Sequence, residues 1–100
     1  MARTATDYTD IPSAATAVQL VSALAITLRK ISSINMRADP GNTGNIAVGD
    51  STVSMTNGYI LEPGDALEIN YGSGSELAGY WYADVATSGD NVIWTAVFHD

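Results

Sequence analysis

The side chains that could carry chemistry in this sequence are few and far apart. The only histidine, His99, follows an apolar run, and no nucleophile-elbow motif accompanies it to suggest a serine triad. A jelly-roll metalloenzyme of the cupin kind needs several histidines around its metal, and the chain has no cysteine to supply thiolates. The sequence therefore predicts a protein that is not an enzyme.

Oxygen-bearing side chains form two local sets. Four of them surround a glycine-rich loop: Asp39, Asn42, Asn45 and Asp50. Such oxygens suit calcium, but their spacing is not that of an EF-hand loop, and turns use the same residue types. Glu62 and Asp65 flank Pro63-Gly64 in the same way. We therefore expect turns at both places, with no metal and no cofactor.

Three aromatic residues stand in a row in the stretch GYWYADV at 79–85, namely Tyr80, Trp81 and Tyr82. In a strand, Trp81 faces away from Tyr80 and Tyr82, so at least one large ring lies near the surface whichever face is inward. Exposed rings of this kind serve sugar stacking or subunit contact. Packing in a core at a sheet edge is the alternative.

Short strands are the elements that must position these residues. Apolar members recur at every second position: Ile34, Met36 and Ala38, then Leu67, Ile69 and Tyr71, then Trp94, Ala96 and Phe98. Asn57-Gly58, where both residues accept positive φ, and Pro63-Gly64, which fits a type II turn, separate such runs. Turn signals about every 8 to 12 residues predict an all-β domain, a small antiparallel β-sandwich or jelly-roll-like barrel.

The first part of the chain is less regular. Residues 1–13 show no sustained period, so we expect an extended N-terminal arm, followed by a β-sandwich domain at 14–100. Segment 14–31 combines Ala and Leu, which favour a helix, with alternation from Val18 to Leu28, which favours strands. We predict two short strands there, with a turn near Ser22 and Ala23.

Charge is scarce and unevenly placed. Charged residues make up 15% of the chain, below the roughly 25% of ordinary domains, which is expected where neighbouring subunits cover part of a surface. The bases all lie in the first 37 positions, at Arg3, Arg29, Lys30 and Arg37, whereas residues 38–100 hold nine acids and no Lys or Arg. The net charge of −7 argues against a nucleic-acid partner, and a basic cluster at Arg29, Lys30 and Arg37 fits an acidic surface.

Two further expectations concern membranes and the arm. The apolar run at 14–28 is interrupted by polar residues and is shorter than the roughly 20 residues that cross a bilayer, so we expect a soluble protein with no membrane partner. Within the arm, Tyr8, Ile11 and Pro12 are an anchor-sized set for a neighbour's groove, and Arg3 can meet an acid there.

The order of INMRADPGNTGNIAVGDSTVS, TNGYILEPGDALEI and SGDNVIWTAVF resembles small β-rich virion proteins of tailed phages, of the type that decorate or cement heads. The likeness covers roughly residues 17–98, and its most specific pieces are NTGNIAVGD and NGYILEPGDALEI. It implies a protein on the outer surface of the capsid that bridges copies of the major capsid protein and stabilises the shell without an active site.

The oligomeric state and one other function follow as expectations. A charge-poor β domain with surplus rings has more apolar surface than it can hide alone, which predicts a homo-oligomer, a trimer in the cement interpretation. The alternative function is a receptor- or carbohydrate-binding module of a phage fibre or tail, with the rings at 80–82 as its platform.

Overall fold

Alternating apolar residues form nine strands in this computed structural model, which describes residues 4–22, 27–72 and 74–99. The strands are β1 Thr4–Asp10, β2 Val18–Gln19, β3 Lys30–Ala38, β4 Ile46–Gly49, β5 Tyr59–Leu61, β6 Ala66–Asn70, β7 Glu76–Leu77, β8 Tyr82–Val85 and β9 Asn91–Phe98. One 3-10 turn, Ala78–Tyr80, lies between β7 and β8.

The strands pair into two antiparallel sheets. Sheet A has the order β1-β9-β3-β6, with β7 paired to the start of β3, and sheet B has the order β2-β8-β4-β5. Every pairing is antiparallel. The two sheets pack face to face, so the predicted all-β sandwich is confirmed.

The core lies between the sheets and follows the period of two. In β9 the burial alternates residue by residue, and Trp94, Ala96 and Phe98 point inward as the sequence predicts. Sheet B contributes Ile46 and Val48 from β4, both fully buried. Because alternate side chains of a strand point to opposite faces, the intervening residues of β9 form the outer surface of sheet A.

The two predicted turns have different outcomes. Gly64 has φ +90° and Asp65 N–H donates to the Glu62 carbonyl over 2.9 Å, so the type II turn around Pro63-Gly64 is confirmed. The turn predicted at Asn57-Gly58 instead spans Ser54 to Asn57, whose backbones exchange two hydrogen bonds of 3.0 Å. Asn57 keeps a negative φ, and Gly58, with φ +153°, lies just beyond the turn.

The expectation of a free arm at 1–13 is wrong for its described part. Thr4–Asp10 forms β1, paired with β9 along its whole length from Thr4–Val97 to Asp10–Asn91. Ile11 is fully buried in the core, and its backbone bonds to Asp90 and Gly89. The proposed anchor set is therefore divided, because Ile11 serves this chain's own core while Tyr8 and Pro12 remain exposed. Arg3 lies outside the described residues.

Segment 14–31 is only partly open to comparison. Val18–Gln19 is a strand, as predicted, and pairs with β8. Ser22 follows it outside any strand, whereas Ala23 and most of the second predicted strand lie outside the described residues. The next described strand begins at Lys30.

Candidate interaction surfaces

Sheet A leaves one broad face uncovered, which we call the outer face of sheet A. The register places on it the outward side chains of four strands: Thr4, Thr6 and Tyr8 of β1; Ile93, Thr95 and Val97 of β9; Ser33, Asn35 and Arg37 of β3; Ala66, Glu68 and Asn70 of β6. All of them are half-buried or exposed. The charged side chains on this side are Arg37, Glu68 and Asp10, which pairs with Asn91 at the end of β1, and the positions between them on β1, β9 and β3 are uncharged.

Several hydroxyl side chains of sheet A form hydrogen bonds between its strands. The hydroxyls of Thr6 and Thr95 lie 3.1 Å apart across the β1–β9 pair, and Ser32 donates to the Val97 carbonyl over 3.3 Å. Threonine and valine are stiff at χ1, so they change little in side-chain entropy when a partner covers them. The face is therefore suited to contact with another protein.

The outer side of sheet B is different because the chain folds back over it. Residues 50–58, here called the cover loop, place the buried Val53 over β4. A Cβ on Gly58 would lie 2.6 Å from Val53 Cγ2 and 2.9 Å from the Val48 carbonyl oxygen, which shows how closely the loop packs on the strand. Ala47 of β4 and Asp84 of β8 are buried on this side.

Asp50 holds the start of the cover loop. Its Oδ1 accepts hydrogen bonds from Thr52 N at 2.9 Å and from Thr52 Oγ1 at 2.6 Å. The Thr52 side-chain bond, followed by the Thr52 backbone bond, lowers the pKa of the Asp50 carboxyl below its ordinary value of 3.8. This carboxylate orders a turn, as its sequence context indicates.

The edge of sheet B carries the second exposed apolar surface, here called the β5 edge. Among the strands that the structure describes, β5 pairs with β4 alone. Tyr59 is 58% exposed and Ile60 is 46% exposed, whereas Leu61 is buried. Sequence analysis did not single out Tyr59 or Ile60, because a short apolar run does not show whether its strand is central or at an edge.

A shallow groove lies beside the aromatic stretch. It encloses about 330 Å³ and is lined by Gln19, Ser22, Thr27, Leu28, Glu76, Leu77, Gly79 and Tyr80. Tyr80 is 41% exposed, in edge contact with Trp81 at a centroid distance of 5.3 Å. The expectation that a large ring reaches the surface is confirmed for Tyr80.

Trp81 itself is not available as a platform. It is buried, and its Nε1–H donates to the Tyr71 hydroxyl over 2.9 Å. Tyr82 is half-buried on the outer side of sheet B. The structure therefore separates the three consecutive rings into one core residue, one half-buried residue and one exposed ring.

The basic residues do not form the single cluster that was expected. The Arg29 guanidinium lies 3.8 Å from the ring centre of Phe98, and Lys30 begins β3. Arg37 lies near the other end of the same strand, roughly 20 Å away at about 3.3 Å per residue. Distance along β3 separates charges that are close in sequence.

Asp90, which sequence analysis did not weigh, holds the glycine-rich loop in place. It is buried, and its two carboxylate oxygens accept hydrogen bonds from Thr43 N at 3.0 Å and Gly44 N at 2.9 Å. The Asn42 side-chain amide donates to the Asn91 carbonyl over 2.8 Å and accepts from the Asn91 N–H over 2.9 Å. The Asp90 and Asn42 side chains therefore attach the glycine-rich loop to the start of β9.

The remaining candidates are His99, possible metal ligands and membrane-spanning helices. His99 is exposed, and its backbone N–H bonds to the Lys30 carbonyl. Within residues 4–22, 27–72 and 74–99, no three His, Cys, Asp or Glu side chains come together as metal ligands. In the same described ranges, no helix is long and apolar enough to span a bilayer.

No family model matches this sequence, and no curated protein matches it at a significant level.

Proposed function

We propose that this protein is a structural component of a phage virion that binds the outside of the head as a decoration or cement protein. In this role it bridges neighbouring copies of the major capsid protein and adds buried area that resists internal pressure. The resemblance of NTGNIAVGD and NGYILEPGDALEI to small virion proteins supports the assignment. The fold supplies a rigid sandwich on which contact surfaces can be carried.

The outer face of sheet A is the observation that carries this proposal. The middle of this face, on β1, β9 and β3, is an uncharged surface of Thr, Ser, Asn, Ile and Val with Asp10, Arg37 and Glu68 around it, and interfaces likewise have cores depleted in charge and polar rims. We assign this face to contact with the capsid or with sister subunits.

Two separate surfaces make bridging possible. The outer face of sheet A and the β5 edge belong to different sheets, so one molecule can contact two neighbours at once. A homotrimer around a local threefold position uses such paired surfaces, since contacts between unlike patches close into rings. The net negative charge suits the outside of the shell, away from packaged DNA.

The proposal is tested by binding to capsids. Purified protein added to heads stripped of accessory proteins is expected to bind at saturable sites, and cryo-microscopy of the particle should show it on the outer surface. Thr95→Lys places a charge at the centre of the outer face of sheet A and should reduce occupancy strongly. Thr16→Lys makes the same substitution in the exposed loop before β2, at the edge of sheet B opposite β5, and serves as the matched control.

Melting temperatures of both variants establish that each one folds. The capsid assignment fails if the wild-type protein does not bind heads. The assignment of the contact face fails if Thr95→Lys and Thr16→Lys bind equally well.

A second candidate function, a receptor- or carbohydrate-binding module of a fibre or tail, is favoured by the groove at Tyr80. The ring is held by its edge contact with Trp81, and Gln19 and Glu76 line the same groove. A fixed aromatic ring beside hydrogen-bonding groups is the arrangement that ligand pockets use to set orientation. Glycan-array binding that Tyr80→Ala abolishes, in the absence of capsid binding, would favour this function over the first.

A further inference from the structure

We propose that the β5 edge is a strand-addition site for an extended segment of the major capsid protein that alternates apolar side chains and carries Lys or Arg at both ends. In this mode a partner's segment lies beside the edge strand, its backbone completes the sheet, and its side chains set specificity. The inference rests on the proposed capsid attachment for the source of the segment.

The first support is that the outer edge of β5 has no paired strand in the described part of the chain. This strand is the terminal one of sheet B, and its described pairing is with β4 alone. Tyr59 and Ile60 follow one another, so their exposed side chains point to opposite faces of the sheet. An added strand would therefore contact apolar surface on both of its sides.

The second support is a contrast with the edge of sheet A. There β1 carries Asp7, which pairs with Trp94 and so points toward the inner side of the sheet while staying exposed. Inward-pointing charges are a means by which proteins prevent unwanted strand pairing. The strand β5 contains neither a charge nor a proline.

The third support is the charge at the two ends of β5. Glu62 follows the strand directly, and Asp65 accepts a hydrogen bond from Glu62 N over 3.2 Å. Asp50 lies at the opposite end, two residues beyond the Val48–Tyr59 pair. All three carboxylates are exposed. A segment with a base near each end would complement them.

The described part of this chain offers no such segment to a second copy. Lys30 and Arg37 belong to β3, which is paired on both sides, and Arg29 stacks on Phe98. The occupant is therefore a different protein.

A synthetic peptide of alternating valine and threonine with lysine at both ends is the first probe. We expect it to bind the full chain with an affinity that falls as salt rises, and to slow hydrogen exchange of β5 amides. Ile60→Lys should weaken binding about tenfold or more, and the uncharged Ile60→Thr by less. Thr16→Lys, at an exposed position near the edge of sheet B opposite β5, is the matched control and should bind as the wild type does.

Three peptide results would overturn the inference. They are equal binding of a peptide with glutamate at both ends, unchanged exchange of β5 amides, and equal weakening by Thr16→Lys. A free dimer that Ile60→Lys dissociates would assign the edge to a second copy and would also overturn it.

Stripped capsids provide the second probe and separate the two proposals. If the wild type binds heads and Ile60→Lys binds them about tenfold more weakly, the inference is supported. If Ile60→Lys binds heads as well as the wild type, strand addition is wrong while the capsid function stands. If no variant binds heads but the lysine peptide protects β5, the capsid function fails and the capsid is excluded as the source of the segment.

Discussion

The two sheets of this sandwich treat their outer sides in opposite ways. Sheet B is covered by residues 50–58 of its own chain, which bury Val53 over β4. Sheet A leaves four strands of mostly uncharged side chains open. The covered side contributes to the stability of the free domain, whereas the open side is free to contribute to assembly. Substitutions on the two sides should therefore affect different measurements.

The largest loss of stability is expected where β1 of the open sheet joins the core. Ile11→Ala removes a fully buried side chain and should lower the free energy of unfolding by about 2 to 5 kcal/mol. Tyr8→Ala, three residues earlier and 60% exposed, should cost well under half as much. Chemical denaturation measures both. Equal losses of stability in the two variants would contradict the conclusion that Ile11 is a core residue and Tyr8 a surface residue.

A large effect is also expected at the cover loop. Gly58→Val combines a positive φ with close contacts to Val53 and the Val48 carbonyl, and should destabilise the fold by about 2 to 4 kcal/mol. Gly64→Val shares the positive φ but has no atom within 4 Å of the added Cβ, so about 1 to 2 kcal/mol is expected. Thermal melts of the two variants separate the cost of packing from the cost of backbone strain. A larger loss of stability for Gly64→Val than for Gly58→Val would count against close packing of the cover loop.

The substitution of valine by alanine can be made on the covered side of sheet B and on the open face of sheet A, which compares the two directly. Val53→Ala, on the covered side, should lower the free energy of unfolding by about 1 to 2 kcal/mol, because it empties a buried contact. Val97→Ala, on the open face, should cost under about 1 kcal/mol. Capsid binding should show the reverse order. A Val97 variant as unstable as the Val53 variant would show that the open face is part of the core.

The smallest effect concerns the contact between Tyr71, after β6, and Trp81, before β8. Partial burial raises the pKa of Tyr71 above its ordinary value of 10.0. The folded state therefore favours the protonated Tyr71 hydroxyl. Its contribution to the free energy of unfolding is fully present below the pKa that Tyr71 has in the unfolded chain, and it is lost as pH rises through the higher pKa of the folded state. Tyr71→Phe should cost about 1 kcal/mol at neutral pH, through the lost acceptor for Trp81 Nε1.

A pH series checks this prediction. The stability difference between wild type and Tyr71→Phe is expected to narrow above about pH 10. A difference that stays constant to higher pH would show that Tyr71 titrates as it does in the unfolded chain.

The sequence alone determined the fold class, because its information is local. The period of two in β3, β6 and β9 specified which side chains face inward, and Pro63-Gly64 specified its own turn through proline's fixed φ and glycine's freedom at positive φ. The buried position of Trp94, Ala96 and Phe98 follows from the same alternation.

Only the tertiary structure decided how each strand is used. Residues 4–10 have Tyr8 as their one large hydrophobic side chain, and it is exposed, yet β9 pairs with all seven residues, because backbone hydrogen bonds require little of the side chains. The exposure of Tyr59 and Ile60 depends on the position of β5 at the edge of sheet B, and the separation of Lys30 from Arg37 depends on the extended path of β3. Strand order and loop placement are set by contacts between distant residues, which local periodicity does not record.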